Sequence, residues 1–401
     1  MKNTLAVILG GGEGSRLYLL TKLRAKPAVP FGANYRIADF SLSNCLNSGI
    51  KRICVPTQYE SVSLSNHLER WARGKFSVDL GEFLRELSIK GERGEQEVRY
   101  KGTADAVYRN LRHFRTNYDE MLILSGDHIY NCNYTEFLDE HRRKNADLSI
   151  LVTEVPDDER SGFGILEANG GNKVIGFEEK PAEPKSNLAS MGIYLFNREF
   201  LEEVLRKDAE DTSSNHDFGR NIIPMLIREN AKVYSHKFSG FWKDVGTIKA
   251  FYESNMDLVS VKPKLNLYDL EHKVYNDGSS LPPSKINFDL LIGDGSIVVD
   301  ANIHQSILGP GTTIGPGHDI SRTIFFGSDT DLGKLCSVDS GCMITRAIID
   351  KNVRIGKGCV IGHGGKPNYS EKGLVQGQDF DVYDGITVVA KDVNIPDGTV
   401  L

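Results

Sequence analysis

The chain has 401 residues, 40% of them apolar and 25% charged, with a formal net charge of -6 at pH 7, a length that allows two domains. The acidic balance argues against a nucleic-acid binder with a broad basic face, and no apolar run approaches the roughly 18 residues that span a bilayer. The N-terminal apolar stretch stops at three glycines with no cleavage site behind it, and six cysteines include no CxxC pair, so a reduced, cytoplasmic protein without secretory leader, zinc site or disulfide framework is expected.

Leu5 to Leu9 is an unbroken apolar run of the kind found in a buried parallel strand. Gly10-Gly11-Gly12-Glu13-Gly14-Ser15-Arg16-Leu17 follows it directly. Glycines at the C-terminal edge of a strand let backbone amides approach a phosphate chain, and ligands of open α/β sheets sit at that edge. Leu17 stands where the dinucleotide fingerprint needs Gly or Ala, and no Lys follows Gly14 as a Walker loop requires. Between Gly14 and Arg36 lie five basic residues (Arg16, Lys22, Arg24, Lys26, Arg36) and no acidic one. That excess suits a triphosphate; the plainer alternative is a tight turn followed by a solvated basic loop.

Arg52 to Pro56 and Met121 to Leu124 are further strands, and Thr103 to Arg115 and Tyr134 to Asn145 carry helical spacing. The alternation predicts a doubly wound, mostly parallel α/β sheet. The strand ending Leu122-Ile123-Leu124-Ser125-Gly126 delivers Asp127 to the edge where the glycine loop lies. A carboxylate beside phosphates makes sense chiefly when a divalent cation bridges them. Asp244, between Trp242-Lys243 and Val245-Gly246, is the second candidate; singly, either Asp could be a helix cap or turn residue. Lys180 ends Phe177-Glu178-Glu179 before Pro181, and by composition alone reads as an exposed lysine. The histidines, His128 and His216 included, show no metal spacing and receive no chemistry.

After about residue 290 glycine becomes frequent and aliphatic residues recur every six positions, as in Leu308, Ile314, Ile320 and in Ile349, Ile355, Ile361. Such a repeat marks a parallel β-helix, with a small Greek-key barrel as the alternative. The division expected is 1–260, a linker at 261–289 rich in proline, and 290–401.

Several segments together resemble bacterial glucose-1-phosphate adenylyltransferase: the Gly11 to Leu17 loop, Arg24 to Gly32 (RAKPAVPFG), Tyr35 to Phe40, Leu42 to Ile50 (LSNCLNSGI), Thr57-Gln58-Tyr59, Gly102 to Val107, Gly126 to Tyr130, Glu179-Lys180-Pro181, Ser190 to Tyr194, His216 to Gly219 and Trp242 to Thr247. They run in family order over roughly residues 5 to 260. The glycine loop identifies only the broad nucleotidyltransferase group, whereas RAKPAVPFG and LSNCLNSGI are particular to the subfamily. The resemblance implies a Rossmann-like catalytic domain followed by a left-handed parallel β-helix of hexapeptide repeats that serves regulation and oligomerisation. It implies ATP and glucose 1-phosphate as substrates, Mg2+ as cofactor, a homotetramer and small-molecule allosteric effectors.

The resemblance also implies roles. Asp127 and Asp244 hold magnesium, Arg16 and Lys26 neutralise the triphosphate, and Lys180 grips the sugar phosphate. Gly11, Gly12, Gly14, Ser15, Gln58, Gly102 and Thr103 surround the nucleotide, while Glu179, Ser190 and Asp217 contact glucose. Departures at Glu13, Leu23 and Arg99 lie near loops associated with activator response in that family. Three alternatives stay open: a same-fold enzyme using UTP, dTTP or GTP, a catalytically silent regulatory subunit, and a hexapeptide-repeat acyltransferase.

Overall fold

Leu5, Ala6, Val7 and Ile8 are buried to within 1%, as expected of a strand covered on both faces. The computed structural model describes residues 3–12, 14–88, 99–114, 117–278, 281–329, 334–362 and 367–401; Glu13 lies outside them. The first part runs β1 (Thr4–Leu9), β2 (Pro30–Phe31), β3 (Tyr35–Arg36), α1 (Ile37–Asn47), β4 (Arg52–Thr57), α2 (Val62–Ala72), β5 (Phe83–Ser88), α3 (Thr103–Asn110), β6 (Glu120–Ser125), β7 (His128–Tyr130), α4 (Thr135–Arg143) and β8 (Leu148–Glu154). It continues with β9 (Gly164–Ala168), β10 (Val174–Glu179), β11 (Leu188–Asn197), α5 (Arg198–Glu210), α6 (Ile223–Arg228), β12 (Val233–Lys237), β13 (Trp242–Asp244) and α7 (Ile248–Leu258). The helix expected over Thr103 to Arg115 gives way after Asn110 to a 3-10 turn, Leu111–His113, and Arg115 lies outside the described residues.

One nine-stranded sheet organises this part. β1 lies between β4 and β6 and is parallel to both, and β5 extends the parallel run beyond β4. The far side departs from the mostly parallel expectation, for β11 runs antiparallel to β6, β8 and β9. The sheet is therefore mixed. The ten-residue β11 shifts register between Ser190 and Ile193, so its first half pairs with β9 and its second half with β6.

The hexad pattern has a direct geometric meaning. Leu308, Ile314 and Ile320 sit on strands of three different sheets, as do Ile349, Ile355 and Ile361, so each triplet is one coil of a triangular β-helix. Coils stack in parallel register: Ile292, Leu308, Phe325, Ile349 and Val389 form one column. A second column holds Ile314, Val338, Ile355 and Ile395. Burying each such side chain contributes about 1.5–3 kcal/mol. Ser284–Ile286 pairs antiparallel with Leu290–Ile292 at one end, and Phe380–Tyr383 with Ile386–Val389 at the other. The described residues of 262–283 carry neither helix nor strand.

The two parts share a hydrophobic core. Leu17, Leu20, Phe31, Tyr35 and Phe251 belong to the same buried cluster as Leu308, Phe325, Phe326 and Ile348 of the β-helix. Phe326 meets Phe251 edge-on at 5.9 Å, and Tyr18 stacks on Tyr383 at 4.3 Å. The Arg24 guanidinium grips Asp350 through two hydrogen bonds of 2.9 Å, with Arg24 3% and Asp350 0% exposed. The six cysteines are buried and free. Among the described residues no helix is long and apolar enough to cross a membrane.

Candidate active site

β1 ends at Leu9 and the chain passes into the glycine loop at the centre of the parallel strands. The Gly10 amide donates to the Pro56 carbonyl at 3.1 Å. Gln58 bridges the loop to the α3 side: its Nε2 donates to the Gly11 carbonyl at 3.0 Å, and its Oε1 accepts from the Tyr100 amide at 2.8 Å. Gly14 has φ of +64°, and a Cβ there would stand 2.9 Å from the Cβ of Lys26. Glycine is thus required twice over, by backbone conformation and by space. Gly12, Ser15 and Arg16 are exposed on the outer side of the loop.

Two acidic residues converge opposite the loop. Gly126, whose Cβ would lie 2.9 Å from the Leu9 carbonyl oxygen, lets the chain turn tightly after β6 and present Asp127. Asp244 arrives from 117 residues later because β13 pairs with β7, placing it across from His128. Lys26 lies between the two carboxylates, its Nζ 3.0 Å from Asp127 Oδ2 and 2.9 Å from Asp244 Oδ1. Arg16 Nη2 is 3.8 Å from Asp244 Oδ2, and it passes close to Gly246, where a Cβ would stand 2.8 Å from that nitrogen. Ser125 donates to Asp127 Oδ1. Burial opposes ionisation of Asp127 more than any single neighbour favours it, but the Lys26 charge, His128 and the Ser125 hydroxyl together outweigh burial and hold the carboxyl below its ordinary range. Burial likewise works against the charge on Lys26, and the two carboxylates hold its pKa above the usual value. Donor atoms of Asp127, His128 and Asp244 all lie within 4.8 Å of one another.

A second cluster lies around the β10 end and the α3 N-terminus. Thr103 Oγ1 donates to Asp217 Oδ2 at 2.9 Å and accepts from the Phe218 amide at 3.0 Å, while Asp217 Oδ1 accepts from the Arg220 amide at 2.9 Å. Glu179 fits against Gly164 and Gly219, whose Cβ atoms would come within 2.8 and 2.6 Å of its Oε2. Burial, reinforced by the charge of Asp217, pushes the Glu179 carboxyl up. Ser190 lies at the register shift of β11, with its Oγ accepting from the Gly192 amide at 3.1 Å. Lys180 has φ of +52° and an exposed side chain, and its amide donates to the Phe163 carbonyl at 3.0 Å.

Residues 5–261 match the family model described as nucleotidyl transferase, and residues 279–400 match the GLGC left-handed parallel beta-helix domain. A glucose-1-phosphate adenylyltransferase of Clostridium acetobutylicum is 48% identical over 78% of this chain and 83% of its own length. Those of Acetivibrio thermocellus and Thermotoga maritima are each 41% identical, over 99% and 95% of this chain and 91% and 99% of their own. The chain belongs to the glucose-1-phosphate adenylyltransferase family.

Within this family's frame, the structure corrects one reading of the basic run. Of its five cations only Arg16 and Lys26 reach the carboxylates. Arg24 is spent on Asp350, Arg36 donates to the Ala28 carbonyl and the Ser63 hydroxyl, and Lys22 points to solvent. The chain folds back against the β-helix between Arg16 and Lys26, and a linear count of charge cannot see that turn. His128 was passed over: its Nε2 is 3.5 Å from Asp127 Oδ1, and its Nδ1 is 3.2 Å from the Met191 carbonyl. Its place directly after Asp127 was the only signal in the sequence.

Thr103 and Asp217, expected from the resemblance to serve different substrates, are hydrogen-bonded to each other, so the start of α3 is tied to the segment carrying Asp217. Gly102, immediately before α3, approaches the Asn215 and His216 carbonyls so closely that a Cβ would lie 2.4 Å from each. Gly102→Ala would have to push α3 off that segment. It should lower kcat/KM for both substrates together, by as much as about 10²-fold, the cost of misplacing positioned groups by about 1 Å; steady-state kinetics with each substrate varied checks this.

Proposed function

We propose that the protein joins ATP to α-D-glucose 1-phosphate, forming ADP-glucose and pyrophosphate, the first committed step of glycogen synthesis. The catalytic unit would be 1–260, joined through 261–289 to the β-helix of 290–401. The observation that carries the reading is the convergence of Lys26, Asp127 and Asp244 beside a glycine loop at the strand edge. Clustered carboxylate oxygens fit a hard divalent cation such as Mg2+. When bound, that cation would neutralise phosphate oxygens and help the leaving pyrophosphate.

The chain's own residues supply position and charge. Amides of Gly11, Gly12, Gly14 and Ser15 line the path of the triphosphate, and Arg16 and Lys26 balance its charge. Gln58, fixed between Gly11 and Tyr100, borders the base pocket with Gly102 and Thr103. Glu179, Ser190 and Asp217 would meet sugar hydroxyls, and the exposed ammonium of Lys180 would take the sugar phosphate. That phosphate has a second pKa of about 6, is mostly dianionic at neutral pH, and attacks the α-phosphorus without a general base.

A cavity of about 470 Å³ lies where the two parts meet, with Lys22, Arg24 and Lys391 but also Asp350, Asp379 and Asp392 in its lining, and a small-molecule effector there would touch both parts; the exposed Leu23 also lines it. A cytoplasmic homotetramer completes the reading. Pyrophosphate release with glucose 1-phosphate and each of ATP, UTP, dTTP and GTP tests it. Turnover confined to ATP is expected. Preference for another triphosphate would move the protein to a neighbouring reaction, and no turnover from folded, ATP-binding protein would favour a silent regulatory subunit.

A further inference from the structure

We propose that Lys26 keeps the cation site closed until the nucleotide arrives, so that the divalent metal enters with the triphosphate and not before it. The inference rests on the reading of Asp127 and Asp244 as cation ligands. Lys26 Nζ faces one oxygen of each carboxylate, at 3.0 and 2.9 Å, and its side chain is 5% exposed. The remaining oxygens are engaged as well, Asp127 Oδ1 by the Ser125 hydroxyl and Asp244 Oδ2 by Arg16 at 3.8 Å. The ammonium therefore occupies the gap that a bridging cation needs. A metal entering alone must expel a nearly buried positive charge whose ion-pair partners, among the described residues, are these two carboxylates, and stranding a buried charge is costly.

The same packing shows what would release it. The base of the Lys26 side chain lies against Gly14, so closely that a Cβ on that glycine would stand 2.9 Å from the Lys26 Cβ. Lys26 also opens a short 3-10 turn, Lys26–Ala28, so its backbone is held and only the outer methylenes can swing. The direction in which they can find a new anion is along the glycine loop, where the triphosphate binds. Nucleotide thus offers Lys26 a stronger partner and frees both carboxylates in one event. A single lysine alternates between standing in for the metal and binding the phosphates.

Mn2+ serves as the probe, with free ion followed by electron paramagnetic resonance on the full-length protein. Wild type is titrated alone and with a non-hydrolysable ATP analogue, beside Lys26→Gln and Asp127→Asn. Wild type alone should take up Mn2+ weakly, and Lys26→Gln should bind it at least about tenfold tighter without nucleotide, the scale of a typical coupling between two ligands. Equal affinity of wild type and Lys26→Gln overturns the proposal. The wild-type arm stands even if the variant fails to fold: Mn2+ uptake in the absence of nucleotide as tight as in its presence also overturns it. If Asp127→Asn leaves nucleotide-dependent uptake unchanged, the assignment of Asp127 as a ligand has failed, and the proposal falls with it.

Discussion

Asp127→Asn should lower kcat by about 10² to 10³, the loss seen when one preorganised electrostatic group is removed from a transition state. The substitution preserves size and the position after Gly126, so nucleotide affinity should change far less than turnover. Pyrophosphate release at saturating ATP separates the two effects. The pH dependence follows from the same contacts. Burial opposes the charge on Asp127, but Lys26, His128 and the Ser125 hydroxyl together overcome it and hold the folded carboxyl below the ordinary value of 3.8. Its contribution to stability is therefore complete above that value and is lost only as pH falls below it toward the depressed folded pKa. Neither Asp127 nor Lys26, whose pKa is raised, should introduce a titration near neutrality, so a neutral inflection in kcat would have to come from another group.

Asp350→Ala should destabilise the protein by about 3–5 kcal/mol, because it leaves the Arg24 guanidinium buried without its anion. Urea unfolding checks the loss, and a paired replacement of Arg24 and Asp350 by apolar residues of similar volume should recover much of it. Arg24 stands two residues before Lys26, so the single variant should also lower activity in protein that remains folded. The paired replacement separates the two causes: recovered stability with lost activity would show that the Arg24 contact positions Lys26.

Much of this site was legible because its elements are local. A buried aliphatic run followed by glycines, or by Ser125-Gly126-Asp127, announces a strand edge from side-chain chemistry alone. The hexads were equally direct, since a coil of three short strands must place an inward aliphatic on each face. What stayed hidden depends on contacts distant in sequence. The fate of the basic run is the clearest case, for nothing near Arg24 or Arg36 shows that Asp350 and Ser63 take them from the phosphates. The position of His128 between the two carboxylates was hidden likewise, because only the pairing of β7 with β13 brings Asp244 to it. The antiparallel course of β11 was illegible for another reason: a strand covered on both faces is apolar in either direction.

The seam between the sheet and the β-helix has a consequence for inheritance. Phe31, Phe251, Phe326 and Ile348 belong to one apolar cluster drawn from both halves, so a substitution on either side must be answered on the other. A graft that kept residues 1–260 and replaced the coils would uncover the inner face of the segment that carries Arg16 and Lys26. The two architectures must therefore change together, whereas the loops between coils that lie outside this cluster can vary without disturbing it.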